Sequence, residues 1–219
     1  GAVQGAATTT LPPSLVINSD QTLVLRDEPT GPTLRLLDRP HEFHFSNFAT
    51  ETLPASVKVN SSDVPLHWRL ISRSTDNTKH VVFLYESDTP RLRLSWEWQA
   101  RADFGPIEHR VIVENLSADE VWLPMIDSLR LQIPMQTGRK LRHLYVEKGA
   151  DTPSAIGTHL ESITEGYSWT GKSSTYAFPQ KGEAREIIPA EFVFNADAPH
   201  AGWLAGIEFS GRTRISLQR

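Results

Sequence analysis

The chain has no cysteine in 219 residues. Disulfides, thiolate metal sites and cysteine nucleophiles are excluded together, while the redox compartment stays open. No run approaches the roughly 20 consecutive apolar residues that a membrane-spanning helix needs, and no stretch carries a helical period of apolar positions. An excess of positive charge is missing as well. The 22 Lys and Arg stand against 26 Asp and Glu, a formal net charge of −4, and the basic residues are scattered. That leaves no electrostatic footprint for nucleic acid or an anionic membrane, and neither is expected as a partner. Nothing in the residue pattern asks for a cofactor or a metal.

What is present is a chain with 39% hydrophobic residues. At this length it can bury roughly 70% of its unfolded surface, enough for one large β domain or two small ones. The opening Gly-Ala-Val-Gln-Gly-Ala-Ala-Thr-Thr-Thr is small and polar, as at the start of an exported protein whose signal peptide has gone, or at an engineered junction. Residues 1–12 are expected to be flexible. Export, to a periplasm or the exterior, is the matching expectation.

Short apolar runs punctuated by Ser, Thr, Asp, Asn and Pro follow from there to the end. Residues 14–18 and 22–26 read as a hairpin, and 33–38, 66–72, 80–86, 91–99 and 107–114 as further strands. In 91–99, Leu92, Leu94, Trp96 and Trp98 alternate with Arg91, Arg93, Ser95, Glu97 and Gln99. This period of two sends one face to the core and the other to water. Strands are also read at 120–123, 128–133, 141–147 and 187–195. The stretch 202–217 reads as a hairpin turning at Ser210-Gly211-Arg212, with the chain stopping inside a longer polypeptide. Roughly a dozen strands at about 8–12-residue spacing indicate an all-β sandwich or barrel. Residues 147–184 break the rhythm and read as a long irregular segment, rich in Gly, Ser, Thr and Tyr.

Several motifs invite chemistry. Gly166-Tyr167-Ser168-Trp169-Thr170-Gly171-Lys172-Ser173 satisfies the phosphate-loop expression. A phosphate loop works because a buried strand delivers it and a helix receives the anion, and neither neighbour is present. It is read as a decoy. The same segment misses the serine-nucleophile elbow by one residue. In His41-Glu42-Phe43-His44, residues three apart on a strand face opposite ways, so a solvated strand end is preferred to a metal site. Asp127, Glu108, Glu114 and Glu97 lie on or beside strands, but an isolated acid there is usually solvated or ion-paired. None is read as catalytic.

The six tryptophans carry more weight, because the C–H face of a pyranose stacks on an aromatic ring while polar groups fix its hydroxyls. Trp96 and Trp98 are read as core, with Trp68, Trp122 and Trp203 beside them. Trp169 lies with Tyr167 in the irregular segment, which makes it a candidate stacking platform. The candidate carbohydrate-binding set is Trp169, Tyr167, Lys172 and Asp127.

The stretch from Ile107 through Asn115-Leu116-Ser117 and Asp127-Ser128-Leu129 to Ile133 resembles the strand, Asn-x-Ser turn, strand and Asp-Ser-Leu strand of the N-terminal domain of family-36 glycoside hydrolases, the bacterial α-galactosidases. Phe209-Ser210-Gly211-Arg212, after Gly202-Trp203-Leu204-Ala205-Gly206, resembles the Tyr-Ser-Gly-Asn region of the same domain. The resemblance implies a large antiparallel two-sheet β-supersandwich of the galactose-mutarotase type, spanning 13–219 as a single domain. It also implies a following catalytic (β/α)8 barrel that supplies the paired aspartates, so that this chain is itself non-catalytic. Its implied partners are that barrel, carbohydrate and, as a homo-oligomer, further copies of the chain. Three alternatives stay open: an aldose-epimerase-like enzyme, whose Asn-His-Ser-Tyr-Phe-Asn pattern is lacking here, a stand-alone carbohydrate-binding module, and a sandwich with no ligand.

Overall fold

A computed structural model describes residues 14–16, 21–29, 31–38, 53–76, 79–101, 106–125, 127, 129–130, 138–148, 157–174, 186–209 and 211–219. Among these the regular structure is all β-strand, every sheet is antiparallel, and no α-helix occurs. The expected all-β antiparallel class is therefore what the chain adopts. The chain divides into two compact units, Gly1–Pro134 and Met135–Arg219. The motif His41-Glu42-Phe43-His44 lies outside the described residues; of the strand expected at 128–133, Leu129 and Arg130 are described and are not in a strand, and the other four residues lie outside the described residues.

In the first unit, β1 (Ser14–Val16), β2 (Gln21–Glu28) and β3 (Gly31–Asp38) form one antiparallel sheet, with Ser14 opposite Val24. Strands β4 (Ser56–Val59) and β5 (Ser62–Pro65) make a hairpin. Its turn residues Asn60 and Ser61 both take left-handed backbone, at φ 48° and 70°. Strands β6 (Arg69–Asp76), β7 (His80–Asp88), β8 (Arg91–Ala100) and β9 (Ile107–Asn115) form a meander, and β10 (Val121–Trp122) borders β4.

The alternation read in the sequence is realised on β8: Leu92, Leu94, Trp96 and Trp98 are buried while Arg91 is exposed. Register sets Trp96 opposite Phe83 and Val111, and the Phe83 and Trp96 rings lie 5.2 Å apart. This face closes on Leu23, Leu25 and Leu34. Each fully buried leucine or phenylalanine contributes about 1.5–3 kcal/mol. Trp68 packs against this cluster and a smaller one of Val57, Leu66 and Leu92, and donates its Nε1–H to the Pro54 carbonyl at 2.8 Å. Trp122, expected in the core, is 65% exposed, because its strand is two residues long and borders the sheet.

In the second unit the strand order is β12 (Thr158–Ile163), β11 (Leu141–Glu147), β14 (Ile187–Asn195), β15 (Ala198–Gly206). Strand β13 (Ser168–Ser173) pairs separately with β16 (Thr213–Gln218). Two expectations are corrected here. The segment 147–184 is not irregular throughout, since it holds β12 and β13. The chain end is not a hairpin of consecutive strands: β15 pairs with β14, and β16 with β13. Gly202 permits the first pairing, because a Cβ there would stand 2.5 Å from the Val193 carbonyl oxygen. Trp203 is half-buried on β15.

Candidate functional site

Among the described residues the buried histidine and the buried glutamate, His143 and Glu191, both lie in the second unit. On β11 the period of two puts Leu141, His143 and Tyr145 on one face, all buried. Register sets His143 opposite Glu161 of β12 and Tyr145 opposite His159. On the other side, Tyr145 faces Glu191 of β14. Tyr167, one residue before β13, reaches into the same face.

These side chains form a hydrogen-bonded chain. The Tyr167 hydroxyl donates to Glu161 Oε2 at 2.7 Å, and the Tyr145 hydroxyl to Glu161 Oε1 at 2.9 Å. The hydrogen bond from Tyr167, then that from Tyr145, holds the Glu161 carboxyl below its usual range despite the opposing effect of burial. Burial, reinforced by Glu161, pushes the Tyr145 phenol up to about 12 and raises that of Tyr167 as well. The arrangement is a carboxylate held ionised by two phenols held neutral.

His143 continues the chain, with Nδ1 2.9 Å from the Tyr167 oxygen and Nε2 3.2 Å from Glu191 Oε2. Aromatic rings enclose it. Trp169 meets His143 edge-on at 4.5 Å and Tyr145 at 4.8 Å, and Tyr145 stacks on His159 at 4.7 Å with an 11° tilt. His159 is about a third exposed, with Nε2 3.4 Å from Glu147 Oε1. Among the described residues no group of three or more His, Asp or Glu side chains is arranged to hold a metal ion.

The residues singled out in the sequence fall in different places. Tyr167 and Trp169 belong to this cluster. Trp169 is not an open platform, because its ring lies over Gly171, where an added Cβ would come within 2.5 Å of it and 2.4 Å of Ile187. Lys172 is exposed, three residues from Trp169 on a strand and hence on the opposite face. Asp127 is an exposed residue of the first unit. The phosphate-loop octapeptide runs from the Gly166 turn straight into β13, without the helix that such a loop serves. Sequence reading missed His143, Tyr145, His159, Glu161 and Glu191. The available signal was the spacing of two between His143, Tyr145 and Glu147, and again between His159 and Glu161.

No protein-family profile matches the chain, and no curated protein matches it in sequence. Among solved structures it is similar to a doubly substituted family-36 α-galactosidase from Geobacillus stearothermophilus, solved in complex with raffinose, with a TM-score of 0.47 and 11% identity. The similarity covers 93% of this chain and 36% of that one, so this chain spans little more than a third of its length.

Proposed function

We propose that this chain is a glycoside-hydrolase-related β domain, non-catalytic in itself, that contributes a carbohydrate contact to a larger α-galactosidase-like enzyme. In this reading it is exported and packs on a catalytic barrel of the same polypeptide. The observation that supports the sugar contact best is the stacked Tyr145–His159 pair, with Glu147 3.4 Å from His159 and Glu161 bound to Tyr145. A pyranose asks for that combination, an aromatic face for its C–H side and fixed acceptors for its hydroxyls. The contact region is accordingly His159, Glu147 and Glu161, while Trp169 and Tyr167 back it from within and Lys172 is turned away.

Titration with raffinose and methyl galactosides, followed by tryptophan fluorescence, tests this. A saturable change is expected that disappears in His159→Ala and survives in Trp122→Ala. Absence of any saturable change, or equal loss in both variants, would overturn it.

A second reading has one observation in its favour. A histidine and a glutamate, the pair an aldose-epimerase-like enzyme would use for proton transfer at a sugar, meet at His143 and Glu191. Their burial, 0% and 4% exposed, stands against contact with a substrate. Polarimetry decides the matter, since this reading requires galactose mutarotation faster than the spontaneous rate.

A further inference from the structure

His143 Nε2 and Glu191 Oε2 approach to 3.2 Å in a site where the two side chains are 0% and 4% exposed. Neither atom has an aligned hydrogen-bond partner, so each of two buried polar atoms has only the other to turn to. The neighbouring hydrogen bonds fix where the protons are. A phenol has one proton, and Tyr167 gives its own to Glu161, an ionised acceptor that also receives the Tyr145 proton. The Tyr167 oxygen can therefore meet His143 Nδ1 only as an acceptor, and Nδ1 carries a hydrogen. A ring with that hydrogen alone would point its Nε2 lone pair at the lone pairs of an ionised carboxylate, away from water. Unrelieved polar groups of this kind are costly to bury.

We propose that His143 and Glu191 hold one proton between them, and that this proton makes the interior of the second unit a latch tying the Tyr167 turn to the four-stranded sheet. With the proton in place the order Glu191, His143, Tyr167, Glu161, Tyr145 is satisfied at every link. Without it the His143–Glu191 contact is repulsive, and the ring gives up either Glu191 or Tyr167. The groups facing the pair are Tyr145 and Glu147 from β11, His159 and Glu161 from β12, and Tyr167 from the turn before β13. Trp169 of β13 covers His143 without a charge. Lys172 and Arg214 are exposed register partners on β13 and β16, on the face opposite Trp169, and Arg219 donates to the Ile163 carbonyl. Lys148 is a further cation at this face, its Nζ donating to Ser173 Oγ at 2.6 Å and to the Ser174 carbonyl at 3.0 Å, with Glu186 3.8 Å away.

Long-range proton–nitrogen spectra of the full chain labelled at histidine nitrogen test the assignment directly. In the folded chain His143 is expected to show a protonated Nδ1, with Nε2 at an imidazolium or intermediate shift. In Glu191→Gln, whose amide supplies its own hydrogen to Nε2, the ring is expected to become a plain neutral tautomer protonated at Nδ1. Finding Nε2 protonated and Nδ1 bare in the wild-type chain would overturn the proposal, whether or not the variant folds. Melting temperatures give a second reading. Glu191→Gln is expected to melt below the wild type, and an equal or higher melting temperature would refute the latch. Sugar binding enters neither measurement.

Discussion

In the first unit β8 turns Leu92, Leu94, Trp96 and Trp98 inward and leaves Arg93 and Glu97 to the outer face, where Arg93 pairs with Glu86 at 2.9 Å. In the second unit β11 turns His143 and Tyr145 inward and sends Leu144 to the other face. There register builds an apolar rung across four strands, from Leu160 through Leu144 and Phe192 to Leu204, with Leu160 48% and Leu204 73% exposed. One antiparallel geometry thus serves two opposite distributions. Apolar burial needs shape and volume but no direction, so the core of the first unit depends on area. Hydrogen-bonded titratable groups need direction and the right proton count, so the second is pH-sensitive by construction.

The contrast can be broken most forcefully in the first unit. Trp96→Ala is expected to cost about 3–5 kcal/mol through the cavity it leaves, read as a lower midpoint in urea that changes little with pH. In the second unit, Glu161→Gln removes the charged acceptor of two phenols, with an expected loss of about 1–2 kcal/mol. Its pH dependence sharpens the comparison. Because the folded carboxyl lies below its ordinary range, its stabilisation is present above that range and lost as pH falls through it; the variant should lose that acid-side slope. The Tyr145 phenol, held up near 12, contributes stability below its ordinary range that is lost as pH rises toward 12, and Glu161→Gln should weaken this as well. Melting curves over a pH series check both signs.

Smaller effects come from the periphery of the first unit. Ser61→Gly is expected to raise stability by about 0.5 kcal/mol, since a non-glycine residue at φ 70° is strained. Arg93→Ala should stay within the error of a thermal melt even though two carboxylates pair with it, because exposed ion pairs contribute little.

Legibility in the sequence follows the same divide. Strand β8 was readable because inward meant apolar and outward meant charged. Strand β12, Thr-His-Leu-Glu-Ser-Ile, has the same period with the signs reversed: His159 and Glu161 face inward and Leu160 outward. A hydropathy pattern therefore reads as noise there, and β12 and β13 look like loop in the sequence. Tyr167 and Trp169 stand out by their aromaticity, whereas Lys172 is only near them in sequence, and alternation on a strand sends it to the other face. Glu191 and His143 are 48 residues apart, and only the pairing of β11 with β14 unites them. The partner of β16 was equally unreadable, since consecutive strands with a turn between them favour a hairpin on local grounds.

The double use of Glu161 has an optical consequence. Of the four tyrosines in the chain, two give their hydroxyl hydrogens to this one carboxylate. Both should stay silent in an alkaline absorbance titration until the fold around them gives way, and then appear together. The number of phenolates counted at a given pH becomes a gauge of whether the second unit is intact, readable in a cuvette without a label.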